Sequence, residues 1–200
     1  MSLGTGLAFA NAYRGNGAVS IVYYGDGASN QGQVYESFNM AELWRLPVVY
    51  VIENNHYAMG TSVERSSAMP DLHRRGESFA IPGRKVDGMD VLTVREPALE
   101  ALEHCRSGKG PIILEMMTYR YRGHSMSDPA KYRTQEEVQK VRAEQDPIDR
   151  ARASLLEAGL IGEAGLKEID REVRAIVADA AEFAQTSPEP DAAELFTDIL

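Results

Sequence analysis

The sequence predicts an α/β fold: a parallel sheet flanked by helices, followed by a helical C-terminal tail. Three observations predict it. Residues 19–24, 48–52 and 111–117 are short apolar, β-branched runs of the length of buried parallel strands. Between the first two lies a run with helical periodicity, which makes a strand-helix-strand unit. From Gln135 onward the apolar residues recur at three- and four-residue steps, with no further strand signal.

The elements follow in order. Leu3, Leu7 and Ala10 have helical spacing, and Gly15-Asn16-Gly17 ends that run. A sheet domain that opens inside a helix is expected to be truncated at its N-terminus. Residues 19–24 form the first strand, and residues 25–30 a turn. Residues 31–45 are helical, with Val34, Phe38 and Ala41 on one face and Pro47 as the stop. Residues 48–52 are the second strand. Residues 54–82 carry few periodic signals and read as a long functional loop with one short helix. Residues 89–94 are expected as a strand. Residues 97–106 are expected as a helix with proline at its start and Gly108 beyond its end. Residues 111–117 are the next strand, and the polar, cationic segment 119–133 follows. Asp146-Pro147 should cap another helix. Leu166, Ile169, Val173, Ile176, Ala180 and Phe183 are expected to bury one helical face, and the Ser-Pro-Glu-Pro at 187–190 breaks the chain. The boundary between the α/β domain and the helical extension is set at 134/135, giving 1–134 and 135–200.

The bulk properties exclude some classes. The net charge of -9 opposes nonspecific binding to a nucleic-acid backbone. No stretch is long and apolar enough for a membrane span, and the first residues lack a signal-peptide pattern. The single cysteine, Cys105, excludes an internal disulfide and reads as a small core residue.

The chemistry lies at the strand ends. The first strand runs into Gly25-Asp26-Gly27 and the second ends at Asn54-Asn55, with residues 28–53 between them. Open α/β sheets bind ligands at strand carboxyl ends. A glycine turn leading into a helix can cradle a phosphate with backbone N–H groups. The nucleotide fingerprints Gly-x-Gly-x-x-Gly and Gly-x-x-x-x-Gly-Lys-Ser/Thr are absent. A lone carboxylate on one strand end and an amide oxygen on the next are hard ligands that suit Mg²⁺ with a diphosphate between them. By itself, Gly-Asp-Gly is a common turn. Segment 119–133 carries Arg120, Arg122, His124, Lys131 and Arg133. By composition it is a solvated loop, but it follows the carboxyl end of a strand in the same sheet.

At this point a resemblance emerges. Gly25-Asp26-Gly27 followed by Asn54-Asn55 resembles the thiamine-diphosphate motif. "GDGASNQGQVYESFNMAELWRLPVVYVIENNHYAMGTSVERSS" is similar to the α subunit of the two-subunit E1 component of 2-oxoacid dehydrogenase complexes. "VDGMDV", "CRSGKGPIILE" and "TYRYRGHSMSDP" resemble its pyruvate-acting branch. The similarity covers nearly the whole chain, weakest beyond Glu157, and corresponds to the C-terminal part of such a subunit.

The resemblance implies the thiamine-diphosphate-binding fold and oxidative decarboxylation of pyruvate, with the acetyl unit passed to a lipoyl-bearing E2. It implies Mg²⁺ held by Asp26, Asn55 and the Tyr57 carbonyl, and a diphosphate contacted by Gly25, Gly27 and Ala28. It implies that His124 orients or stabilises the reacting intermediate and that Arg120 anchors the loop near the cofactor. Ser62 and Ser125 match serines phosphorylated in mitochondrial relatives; a third such serine has no counterpart in the shorter "SDPAKYR". That gap favours an unregulated enzyme of the bacterial cytoplasm over one of the mitochondrial matrix. The implied partners are an E1 β subunit in an α₂β₂ heterotetramer, which supplies the glutamate that activates the aminopyrimidine, and E2. Neither nucleic acid nor membrane is implied. A branched-chain 2-oxoacid or acetoin substrate, a noncatalytic assembly module and a phosphoryl-transfer enzyme are the rival readings; the last lacks a P-loop lysine.

Overall fold

A computed structural model describes residues 1–197. Helix α1 (Ser2–Arg14) precedes strand β1 (Ser20–Gly25), a 3₁₀ turn (Ala28–Asn30), helix α2 (Gly32–Leu43) and strand β2 (Val48–Asn54). A small hairpin, β3 (Tyr57–Ala58) with β4 (Thr61–Ser62), leads into the short helix α3 (Val63–Ser66) and a 3₁₀ segment (Leu72–Phe79). Strand β5 (Gly83–Asp87), helix α4 (Val91–Arg106) and strand β6 (Ile112–Met117) complete the sheet. Helices α5 (Gln135–Gln145), α6 (Pro147–Glu157) and α7 (Glu163–Thr186) follow.

The main sheet has the order β1-β2-β6-β5, and every pairing in it is parallel. This is the expected α/β class. Parallel strands need both faces covered, and β2 meets that need by alternation. Val48, Tyr50 and Ile52 enter one buried cluster with Val34, Phe38 and Ala41 of α2. Val49 and Val51 enter another with Ala101 and Cys105 of α4. Phe38 packs edge-on against Tyr50, their ring centroids 4.9 Å apart. The buried Tyr50 hydroxyl meets the Thr5 hydroxyl at 2.7 Å. Burial pushes the Tyr50 phenol up to about 12 and the Cys105 thiol up to about 11. Cys105 is therefore an unreactive core residue.

In α1 the apolar periodicity points away from the core. Leu3 and Leu7 are exposed, whereas Thr5 and Ala8 are buried. The small face wins because the helix sits against β1: a Cβ on Gly4 would lie 2.3 Å from the Val22 side chain.

Two expected elements need correction. Residues 89–94 are not a strand. Asp90 accepts hydrogen bonds from the Leu92 and Thr93 backbones, so it caps α4, which begins at Val91. Pro97 consequently lies inside that helix rather than at its start. The strand is β5, a charged edge with only Val86 buried, which gives no apolar run to detect. The segment 54–82, expected as a loop with one short helix, does contain the short helix α3, and adds the hairpin and the 3₁₀ segment.

The chain divides into two compact units, Met1–Ala151 and Arg152–Leu200, so α5 belongs with the sheet. Asp146 caps α6 as expected, accepting from the Ile148 and Asp149 backbones. In the second unit α7 ends at Thr186, just before the Ser-Pro-Glu-Pro break. Its apolar face is not buried as expected: Leu166 is, but Ile169, Val173, Ile176 and Phe183 are exposed.

Candidate functional site

The carboxyl ends of β1 and β2 lie side by side, because the two strands pair in register from Ser20↔Val48 to Gly25↔Glu53. The next residue on the first strand's path is Asp26, which is 4% exposed. Burial raises its carboxyl above the ordinary carboxylate range; hydrogen bonding from the Asp26 and Asn55 backbones, then Arg120 and His56, act the other way. A carboxylate so placed gains by binding a cation.

The turn after it is tightly built. Ser29, fully buried, donates its hydroxyl to the Asp26 carbonyl. Gly27 has no room for a side chain, because a Cβ there would lie 2.4 Å from the Ala58 methyl of the hairpin. The first turn of α2 has no side-chain cap, though its Val34 N–H bonds the Gln31 carbonyl; the earlier N–H groups of a helix have no partner within it and suit an anion.

The second strand end is organised by Asn54. Its Oδ1 accepts from the His56 N–H at 3.1 Å, its Nδ2 donates to Glu115 Oε1 at 2.7 Å, and its carbonyl accepts from Thr118. This side-chain turn holds His56 in the left-handed region, at φ 73°. Asn55 sits between them, and its buried Oδ1 has no hydrogen-bond partner. An orphaned amide oxygen beside a buried carboxylate is the arrangement a hard cation would satisfy.

One cleft of about 400 Å³ collects these groups. Gly25, Asp26, Gly27, Ala28, Asn55, Tyr57, Arg120 and His124 all line it, so the structure brings together the eight residues to which the resemblance assigned metal, cofactor or catalytic roles, whereas Arg122, Lys131 and Arg133 of the cationic loop do not line it. Gln31, Ala58 and Met59 also line it and were not anticipated. Among the described residues no three His, Cys, Asp or Glu side chains converge. A cation here would therefore rest on one carboxylate, one amide oxygen and a carbonyl, with further oxygens from its ligand and water. That is the sparse oxygen set in which Mg²⁺ is at home.

The far wall is the cationic loop. Arg120 Nη1 donates to the Tyr57 carbonyl at 3.1 Å, and Nη2 donates to the Met59 carbonyl at 2.7 Å and the Tyr132 hydroxyl at 2.8 Å. A carbonyl oxygen has two lone pairs, so the guanidinium leaves Tyr57 able to accept a second partner. The Tyr132 hydroxyl in turn donates a hydrogen bond to Asp128 Oδ2 at 2.9 Å. Asp128 also accepts from the His124 and Ala130 backbones, and those bonds hold its carboxyl below the ordinary range. Arg133 donates to the Arg120 and Arg122 carbonyls. The His124 ring itself stands exposed at the mouth of the cleft. Ser125 is exposed in the same loop, and Ser62 caps α3 by accepting from the Arg65 backbone.

The sequence held a clue to the supporting residues. Glu115 is the lone charge in the apolar strand Ile-Ile-Leu-Glu-Met-Met, and a charge in a buried strand must have partners. Nothing comparable marks Asp128 or Tyr132, whose roles depend on how the loop folds back.

Comparison with known proteins agrees with this geometry. A family model described as "Dehydrogenase E1 component" matches residues 1–193. Across its whole length the chain is 69% identical to the pyruvate dehydrogenase E1 component subunit alpha of Rhizobium meliloti (strain 1021), covering 58% of that protein. It is 56% identical over 198 residues to the subunit of the same name from Zymomonas mobilis, covering 56% of it. It is 55% identical over 194 residues to the testis-specific mitochondrial form of Homo sapiens, covering 50%. The chain thus spans little more than half the length of the curated relatives it matches. With the model spanning nearly every residue and the identities this high, the chain belongs to the dehydrogenase E1 component family.

Proposed function

We propose that this chain carries the Mg²⁺ and diphosphate half of a thiamine-diphosphate site, in the α subunit of an enzyme that oxidatively decarboxylates pyruvate. One observation carries the reading: a buried carboxylate, Asp26, and an orphaned buried amide oxygen, Asn55 Oδ1, share a cleft at adjacent parallel strand ends. The names of the relatives supply the substrate.

Asp26, Asn55 and the Tyr57 carbonyl would hold the cation, and Gly25, Gly27 and Ala28 would bring backbone close to the diphosphate. When bound, thiamine diphosphate supplies a carbon nucleophile and an electron sink for loss of CO₂ from a 2-oxo acid. Within that pocket His124, which lines the cleft, would donate or accept a proton at the reacting group. Arg120 fixes the loop against the hairpin. The cofactor's other side would be completed by a β subunit, in an α₂β₂ assembly, and the acetyl unit would pass to a lipoyl-bearing E2. The bacterial relatives favour a cytoplasmic setting, although mitochondrial relatives match as well.

The test is a CO₂-release assay on the full-length protein assembled with its β subunit, with Mg²⁺ and thiamine diphosphate. Pyruvate should give the highest kcat/KM among pyruvate, 2-oxobutyrate and a branched-chain 2-oxo acid. A preference for the branched-chain acid would overturn the substrate, and no release from any of them would overturn the activity.

A further inference from the structure

Asp26 and Asn55 both lie outside the sheet ladder. The β1–β2 pairing ends at Gly25↔Glu53 and the β2–β6 pairing ends at Asn54↔Met117. Strand pairing brings the two ligands near each other, and the Asn55 backbone bonds the Asp26 carboxylate, but neither fixes the separation of the Asn55 amide oxygen from that carboxylate. A cation held at about 2.0–2.1 Å from each oxygen in near-ideal octahedral geometry tolerates little error in that separation.

A single segment reaches both ends. The 3₁₀ segment Leu72–Phe79 places His73 on one side and Arg75 on the other. The His73 backbone donates to Glu115 Oε2 at 3.0 Å, and its ring Nδ1 lies 2.7 Å from the same oxygen. Glu115, fully buried, accepts from Asn54 Nδ2 through its other oxygen. Asn54 in turn builds the turn that presents Asn55. On the opposite side, Arg75 Nη1 donates to the Ser29 carbonyl. Arg75 Nη2 donates to Asn30 Oδ1 and to the Ser67 hydroxyl, each at 2.9 Å. Ser29 is the residue whose hydroxyl holds the Asp26 carbonyl.

The geometry points to a clamp: His73–Glu115–Asn54 on one arm and Arg75–Ser29 on the other set the separation of Asp26 and Asn55. Glu115 and Arg75 are thus positioning residues for the cation, which rests on the metal-diphosphate reading above. Neither touches the cleft. A guanidinium suits the second arm because two nitrogens of one rigid plane meet Ser29 and Asn30, a fixed spacing that the single nitrogen of a lysine does not offer. A carboxylate suits the first because it alone offers acceptors to Asn54 and His73 together. The bland alternative is that these bonds only satisfy buried polar groups and stabilise the fold.

The two readings separate in a Mg²⁺ titration of the full-length protein assembled with its β subunit. Binding is measured by calorimetry at saturating thiamine diphosphate, and the thermal midpoint is measured without Mg²⁺. Glu115→Gln and Arg75→Met should each raise the Kd for Mg²⁺ by about 10-fold or more, as outer-shell changes do. Arg75→Lys should recover part of that loss, and the double variant should fall short of the product of the two singles, since both act on one separation. A lower thermal midpoint with an unchanged Kd in Arg75→Met would overturn the clamp, and that variant decides the matter if Glu115→Gln does not fold. Asp26→Ala, titrated in parallel, tells this failure from failure of the metal site. If it too leaves Mg²⁺ binding intact, the underlying assignment falls; if it abolishes binding while the clamp variants do nothing, the clamp alone falls.

Discussion

The two walls of the cleft are held by opposite means. The strand-end wall, with Asp26 and Asn55, is fixed by Ser29 within its own turn and by groups from elsewhere in the fold, Glu115 and the 3₁₀ segment. The loop wall, with Arg120 and His124, is largely exposed and held by its own residues, with Asp128, Tyr132 and Arg133 closing contacts inside the segment. Its ties to the rest of the site run through Arg120 and the ring of Tyr132, which lies 4.9 Å from that of Tyr57. The difference teaches a division of labour. A metal site needs fixed oxygens, which only a packed scaffold provides. On the proposed function, a wall that admits a substrate would open without unfolding the core, and apart from Arg120's bonds to the hairpin this wall is held within its own segment.

The largest effect that could break this comparison is at Asp26. Asp26→Ala removes the only carboxylate among the described residues that line the cleft and should cost at least 100-fold in Mg²⁺-dependent binding of thiamine diphosphate, or about 3 kcal/mol or more. Calorimetry on the assembled protein measures it. Unchanged affinity would mean that the strand-end wall is not the metal wall.

Asp128→Ala should act on the other wall alone. It removes the acceptor for the His124 and Ala130 backbones and for Tyr132. Amide-exchange protection should fall across residues 119–133, and kcat should fall roughly 10-fold or more as His124 loses its placement. The Kd for Mg²⁺ should move by less than about 2-fold, because Asp128 reaches the proposed ligands only through Tyr132 and Arg120 at the Tyr57 carbonyl, and the side-chain oxygens of Asp26 and Asn55 lie outside that chain of bonds. A Mg²⁺ affinity that fell in step with kcat would show that the two walls are one unit.

The same contrast explains what was legible in the sequence. The strand ends could be read because their signals are local. Apolar runs give the strands, and Gly25-Asp26-Gly27 and Asn54-Asn55 stand where such runs stop. The groups that hold them were harder. His73 lies 42 residues from Glu115, and Arg75 lies 46 from Ser29, so no window of sequence contains either pair. Strand β5 was missed because an edge strand of Gly-Arg-Lys-Val-Asp carries one buried residue. The helix α4 start was misplaced because Pro97 is a strong N-terminal signal, yet the Asp90 cap seven residues earlier outweighs it. The stripe on α7 was read correctly as apolar, but periodicity cannot say what covers a face, and in this chain Ile176 and Phe183 are exposed.

The smallest expected effect uses pH to part the two walls without any change of residue. Asp26 and Asp128 are shifted in opposite directions. For Asp26 burial raises the folded-state value above the unfolded one. The cation-free fold therefore gains stability as pH falls through that raised value, and the gain is complete below the unfolded value. A proton and a cation compete for the same carboxylate, so Mg²⁺ affinity should begin to fall while the pH is still above the ordinary carboxylate range. Below the raised value it should drop by about tenfold per pH unit. Asp128 has the reverse sign. Its depressed value means that its stabilisation of the loop is fully present above the unfolded carboxylate value and is lost only as pH falls through the lower, folded one. On acidification, then, the metal wall should fail first, with amide protection of residues 119–133 still intact. The diphosphate titrates too, but it does so equally in wild type and in Asp26→Asn, so the difference between their affinity profiles isolates Asp26. That variant should lose the extra fall in affinity and should be more stable than wild type at neutral pH without Mg²⁺, since an uncharged amide replaces a buried charge. Loss of loop protection at a higher pH than loss of Mg²⁺ affinity would reverse the order and break the comparison.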